Sequence, residues 1–200
     1  MNVKLQKNYV FNTGMVYENE FCVNVYEVTV GMTIITTDPT HQNIAYDRIE
    51  YWLNYVMNNS LLISDTSDKL DAYIATGQRV IALPHEPVDQ VVGVMLYSKL
   101  SAIVEDRMLI TDVNLSSSHG DYVVYLHNYL EDTGPLEFAG WCKDPRPYWA
   151  GTSKKKSSNK IISLTRMPEW AELDLAWEEA TMQDTQNTVV FADFPKNENK

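Results

Sequence analysis

The chain has 200 residues, 44% hydrophobic and 11% aromatic, which is enough to bury a core and excludes global disorder. Its formal net charge of −11, from 27 acidic against 16 basic residues, disfavours non-specific nucleic-acid binding through the overall field. The longest apolar stretch, from Val88 to Val104, is too short and too polar for a membrane span, and the first eight residues lack the apolar core of a signal peptide.

The two cysteines, Cys22 and Cys142, have neither a CxxC spacing nor histidines around them, so no structural metal and no cofactor are expected. The expected compartment is the cytoplasm, a host cytoplasm if the source is viral. The charge is unevenly placed. From Met167 to Pro195 there is no Lys or Arg, while Glu169, Glu172, Asp174, Glu178, Glu179, Asp184 and Asp193 carry most of the imbalance.

In chain order, residues 1–12 alternate as a first strand, with Asn12-Thr13-Gly14 as its turn. A long strand follows over 21–37. Its apolar parity slips between Val25 and Tyr26, which predicts a β-bulge, and Gly31 is a second place for a kink or a close approach. Asp38-Pro39-Thr40 starts a helix in which Ala45, Ile49, Trp52, Leu53 and Val56 share a face. Leu61-Leu62-Ile63 is a buried strand. Asp65 or Ser67 caps a short helix through Leu70, Tyr73 and Ile74, which Gly77 ends.

Residues 79–83 are a strand, broken by Pro84-His85-Glu86-Pro87. Over 88–104 the apolar spacing predicts a buried helix, and the β-branched run at Val91-Val92 makes a strand over its first half the alternative. Residues 107–115 and 122–127 form a hairpin around the loop Ser116 to Gly120. Residues 130–160 hold three prolines and three glycines and form a long loop region. An acidic C-terminal part over 161–195 follows, with a strand at 161–164, a helix opened by Pro168 with Trp170, Leu173 and Trp177 on one face, and a strand at 188–191. Residues 1–195 therefore make one globular domain and 196–200 a flexible tail. The fold class is α+β, with a mixed or mainly antiparallel sheet and helices packed on one face.

Three groups of residues carry chemistry. His85 with Glu86, and His119 with Asp121, sit where strands end. If those strands were neighbours, the two pairs would supply general acid–base groups or divalent-metal ligands for a small hydrolase or transferase. As ordinary loop residues they would do neither. The loop from Gly140 to Trp149 sets Trp141, Arg146, Tyr148 and Trp149 beside Lys154, Lys155 and Lys156. That composition suits a protein-binding hot spot, or stacking and phosphate contacts for a small ligand or nucleotide. The plainer alternative is that the tryptophans anchor the loop to the core. Glu172, Glu178 and Glu179 form an acidic surface that would suit a basic protein partner.

The pattern favours a non-enzymatic interaction protein binding a protein partner through the aromatic loop and the acidic surface. Small accessory proteins of phages and mobile elements have this general make-up, although no residue-level motif ties the chain to them. A homo-oligomer through an exposed edge of the strand 21–37 is compatible with this reading.

Overall fold

Strands β1 (Lys4–Tyr17) and β2 (Glu20–Ile34) form one long antiparallel hairpin. Its turn is Glu18-Asn19, with φ of 49° and 65°. Two positive φ values in a two-residue connection are the geometry whose twist matches that of the strands, and Asn tolerates it. The Asn12-Thr13-Gly14 triplet therefore lies inside β1, because Thr13 is buried and Gly14 packs against Phe21 and Leu61. The structure, a computed structural model, describes residues 4–134, 140–147 and 168–177.

The register between β1 and β2 runs without interruption from Lys4↔Thr33 to Tyr17↔Glu20, so the expected bulge at Val25/Tyr26 is absent. The parity slip has another cause. Tyr26, Val28, Val30 and Met32 face the core, while Phe21 and Val23 lie exposed on the opposite face. The irregularity falls instead at Gly31/Met32, in the pairing of β2 with β5 (Met108–Ser117). A side chain at Gly31 would collide with the Asp112 carboxylate.

Helix α1 (Pro39–Tyr51) starts as expected: Asp38 accepts the Thr40 N–H at 2.8 Å and Pro39 needs no donor there. Its last turns widen into a π-helical segment, Trp52–Met57, closed by the bond from Asn58 N–H to Leu53 O. Strand β3 (Leu61–Ser64), helix α2 (Leu70–Ala75) and strand β4 (Val80–Leu83) follow. Neither Asp65 nor Ser67 caps α2, but Gly77 sits past its end with φ of 77°, a conformation that favours glycine. Residues 89–104 are helical throughout as α3 (Asp89–Val104), so the strand alternative falls.

Strand β6 (Tyr125–Asn128) completes a six-stranded mixed sheet in the order β4-β3-β1-β2-β5-β6. The long helices α1 and α3 cover one face, over Phe11, Met15, Tyr26, Val28, Leu62 and Ile110. Helix α2 packs on the reverse face at the β3–β4 end, through Leu70, Tyr73 and Ile74 over Leu61, Ile63 and Val80. Helix α3 is apolar nearly all round because it is enclosed by the sheet, by α1 and by the 140–147 segment. The fold is α+β.

The helix expected from Pro168 through Trp177 is a single 3-10 turn, Trp170–Leu173. Asp174, at φ of 59°, ends it, and Trp177 lies beyond. The strands expected at 161–164 and 188–191, most of the 130–160 loop and the 196–200 tail lie outside the described residues. No helix among the described residues is long and apolar enough to cross a membrane.

Candidate interaction surface

The strands that were to bring the two histidine loops together are not neighbours in the sheet. Strands β4 and β5 run in the same direction but are separated by β3, β1 and β2, about 19 Å across at the usual strand spacing. His85 and Glu86 are exposed on the link from β4 to α3. His85 lines an open cleft of about 370 Å³ with Val91, Val94, Tyr125, Glu131 and Thr133. His119 packs its ring against Tyr17 at 5.2 Å, and Asp121 is exposed at φ of 51°. No group of three or more His, Cys, Asp and Glu side chains suited to a metal ion occurs among the described residues.

The start of α3 meets the β5–β6 loop instead. Ser117 Oγ donates to Asp89 Oδ1 at 2.7 Å and accepts the Gly120 N–H at 3.0 Å. Asn24 Oδ1 accepts from Ser118 Oγ and from the His119 N–H, both at 2.9 Å. A side chain at Gly120 would run into the Asp89 carboxylate. Burial raises the Asp89 pKa, and the Ser117 bond and the nearby His119 oppose that rise. Ser117 is buried and committed to two partners, so this cluster holds the loop's shape and offers no exposed nucleophile.

The aromatic loop is fastened from within. Lys99, buried on α3, donates from Nζ to Trp141 O (3.3 Å), Asp144 O (2.7 Å) and Arg146 O (2.8 Å). An ammonium carries three donors, and here three carbonyls of one loop receive them. Burial pulls the Lys99 pKa down to about 8, opposed by Asp144. Trp141 is half-buried against the core, and Cys142 is fully buried, its thiol pushed up to about 12 by that burial. Arg146 forks onto Asp144, from Nε at 3.0 Å and Nη2 at 2.8 Å. Tyr148, Trp149, Lys154, Lys155 and Lys156 lie outside the described residues.

A second buried cation fastens 168–177. Arg48 of α1 donates to Leu175 O (2.8 Å), Ile103 O (3.1 Å) and Glu105 Oε1 (2.7 Å). Its guanidinium lies over Trp177 at 3.8 Å and near Trp170 at 4.7 Å. Trp170 Nε1 donates to Pro145 O at 2.6 Å, which ties the two segments together. The acidic residues here are partly spent locally. Glu169 and Glu172 form a reciprocal capping box, with Glu169 N–H donating to Glu172 Oε2 at 3.2 Å. Glu178 and Glu179 lie outside the described residues.

Among the described residues, β6 with its flanks forms an open apolar surface. Tyr122, Val123, Val124, Leu126, Tyr129 and Leu130 are between 51% and 79% exposed. The run from Tyr122 to Leu130 contains no Asp, Glu, Lys or Arg. Among the described strands β6 is the last in the sheet. Tyr129 N–H donates to Thr111 O, so by strand alternation Tyr125, His127 and Tyr129 direct their backbone groups at β5, while Val124, Leu126 and Asn128 direct theirs outward. The core side of β6 is firm: His127 is buried between Tyr97 (4.6 Å between ring centroids) and Tyr125, and burial lowers its pKa despite Glu131 alongside. A side chain at Gly93 of α3 would collide with Tyr125, so the helix lies close against the strand here.

The sequence reading took 122–127 as one half of a hairpin and assigned it no role. The available signal was the presence of large apolar residues at both parities, Val123 with Val124 and Tyr129 with Leu130. On a strand with only one covered face, that pattern leaves some of them in solvent. The long strand 21–37, whose edge would have served a homo-oligomer, is the interior strand β2, flanked by β1 and β5.

No family model matches the chain, and no curated protein matches it. Among solved structures it is similar to the uncharacterized protein WS1659 from Wolinella succinogenes, at 9% identity and a TM-score of 0.49, over 64% of this chain and 99% of that one.

Proposed function

We propose that the chain is a non-enzymatic interaction protein whose contact with a protein partner is built on the exposed segment 122–130. One observation carries this reading: six large apolar side chains on an uncharged run lie in solvent on and beside β6, the last of the described strands in the sheet. Soluble proteins blunt such edges with charge, proline or a covering element; the run has neither charge nor proline, and no described strand pairs with its outer edge. The apolar residues are also mounted on a rigid base, since Tyr125 and His127 pack inward against α3 while their neighbours point out. The reading draws on the open edge in place of the aromatic loop, whose Trp141 and Arg146 are engaged by the molecule itself.

The test is affinity capture with the full-length chain as bait, comparing the parent with the double variant Val123→Lys/Leu130→Lys. The parent should retain a defined protein partner, another copy of the chain included, and the variant should lose it. Equal retention by both would overturn the assignment of the surface.

A further inference from the structure

We propose that the partner of the β6 edge is a second copy of this chain, paired antiparallel about a two-fold axis with Leu126 opposite Leu126. The inference rests on the protein-binding reading above and names its occupant.

Three observations select a second copy. Each copy carries a net charge of −11, so two copies can approach closely only through a surface without charge, and the run 122–130 is uncharged. Leu126 is also the midpoint of that run, and its backbone N–H and C=O point outward. A two-fold axis there lets the two Leu126 residues exchange both backbone hydrogen bonds and sets Val124 opposite Asn128. The chain turns at both ends of β6, so Tyr122, Val123, Tyr129 and Leu130 flank the paired strands without extending the ladder. Finally, the six exposed side chains present on the order of 600 Å² per copy, which reaches the lower end of specific interfaces when counted for both.

The same register has a salt signature. Asp121 and Glu131 bracket the run, and antiparallel pairing brings the Asp121 end of one copy to the Glu131 end of the other. Glu131 is partly drawn back by Asn128 and His127 of its own chain. The remaining like-charge repulsion is screened by salt, so self-association strengthens as ionic strength rises. Docking onto a basic partner would respond in the opposite direction.

The experiment is analytical ultracentrifugation of the full chain at low and high sodium chloride. The parent should sediment at twice the 22.9 kDa chain mass, and more completely at high salt. Leu126→Lys, at an exposed position, should weaken the dimer more than roughly 30-fold by placing two ammonium groups at the axis. Leu126→Pro removes an outward-facing N–H without taking a bond from β5, and should do the same. Circular dichroism confirms that both variants stay folded. Leu126→Cys should form a disulfide with itself across the axis under mild oxidation, whereas Val10→Cys, exposed on β1, should not.

A dimer that neither Leu126→Lys nor Leu126→Pro weakens overturns the proposal, and so does a dimer that salt dissociates. A parent that stays monomeric overturns it as well. In that case, capture of another protein that Leu126→Lys abolishes leaves the protein-binding reading standing, and capture that Leu126→Lys does not touch removes both.

Discussion

Two aromatic-rich regions of this molecule have opposite fates. The segments 140–147 and 168–177 carry Trp141, Trp170, Trp177 and Arg146, which look like a binding surface when read in order. Lys99 and Arg48 hold both segments through backbone carbonyls and aromatic faces. The run 122–130 looks like an ordinary hairpin strand, yet its side chains are the ones left in solvent. The difference lies in what meets each segment's backbone. Where buried cations collect the carbonyls, the side chains follow them inward. Where a strand has only one paired edge and one covered face, alternate backbone groups and the side chains on the uncovered face stay in solvent.

The sharpest way to break this comparison is at Arg48. Arg48→Ala removes three charge-assisted or backbone bonds and the cation between Trp170 and Trp177. It should destabilise the protein by about 4 kcal/mol, the usual cost of breaking a buried, paired charge. Urea unfolding measures this, and a red shift of tryptophan emission reports release of 168–177. Arg48→Lys should recover part of the stability and little of the emission, because an ammonium does not reproduce the planar fork.

Lys99→Met is next, at about 3 kcal/mol, since three carbonyls lose the buried donor that they share. Its emission change should be confined to the environment of Trp141. If Lys99→Met were neutral while Arg48→Ala was costly, the 140–147 loop would be held by Trp170 and Cys142 alone, and the two cations would not be equivalent anchors.

The same lysine predicts a pH dependence that sets the anchored region apart. Its folded pKa, about 8, lies below the ordinary lysine value of 10.5. Between those values the unfolded chain binds a proton that the folded chain does not, so stability rises with pH, by on the order of 2–3 kcal/mol. A neutral amine still donates two hydrogen bonds, so the loop stays held. Tyr9 and Tyr26 act in the reverse sense: burial raises their pKa above the ordinary 10.0, so stability falls once the unfolded tyrosines ionise. Cys142, whose buried thiol is raised from an ordinary 9.0, acts with them, so the expected curve climbs above pH 8 and turns down above pH 9. In Lys99→Met the climb should vanish and the fall remain.

How much of this was legible in the sequence follows the range of the interactions. Asp38-Pro39-Thr40 and Gly77 announced a helix start and a helix end, because caps are local. The helix over 89–104 and the α+β class followed from apolar spacing. The turn at Glu18-Asn19 was hidden because Asn12-Thr13-Gly14 is the stronger local signal, and only pairing with β2 and burial under Phe21 keep that triplet extended. The parity slip at Val25/Tyr26 was real as a pattern, but it recorded a change in which face is covered. The roles of Arg48 and Lys99 could not be read at all. Their partners are carbonyls far along the chain, and a carbonyl has no residue type to recognise. The trio of Asp89, Ser117 and Gly120 was missed for the related reason that β4 and β5 lie far apart in the sheet, while the link to α3 crosses over to β5.

The smallest effect should come from the open edge. Val123→Lys and Leu130→Lys replace side chains 70% and 79% exposed, so each should change the unfolding free energy of the monomer by no more than about 0.5 kcal/mol. In a monomer these residues gain nothing from burial, and a lysine stem covers much of the same surface. Exposed apolar residues that contribute so little to the fold are the ones the proposed association would bury. The measurement is therefore best made twice, at low and at high protein concentration. If the parent and the variants coincide when dilute and separate when concentrated, the apolar edge contributes to association and not to the fold. If they already separate when dilute, the edge is packed within the monomer, and the contrast between the two regions fails.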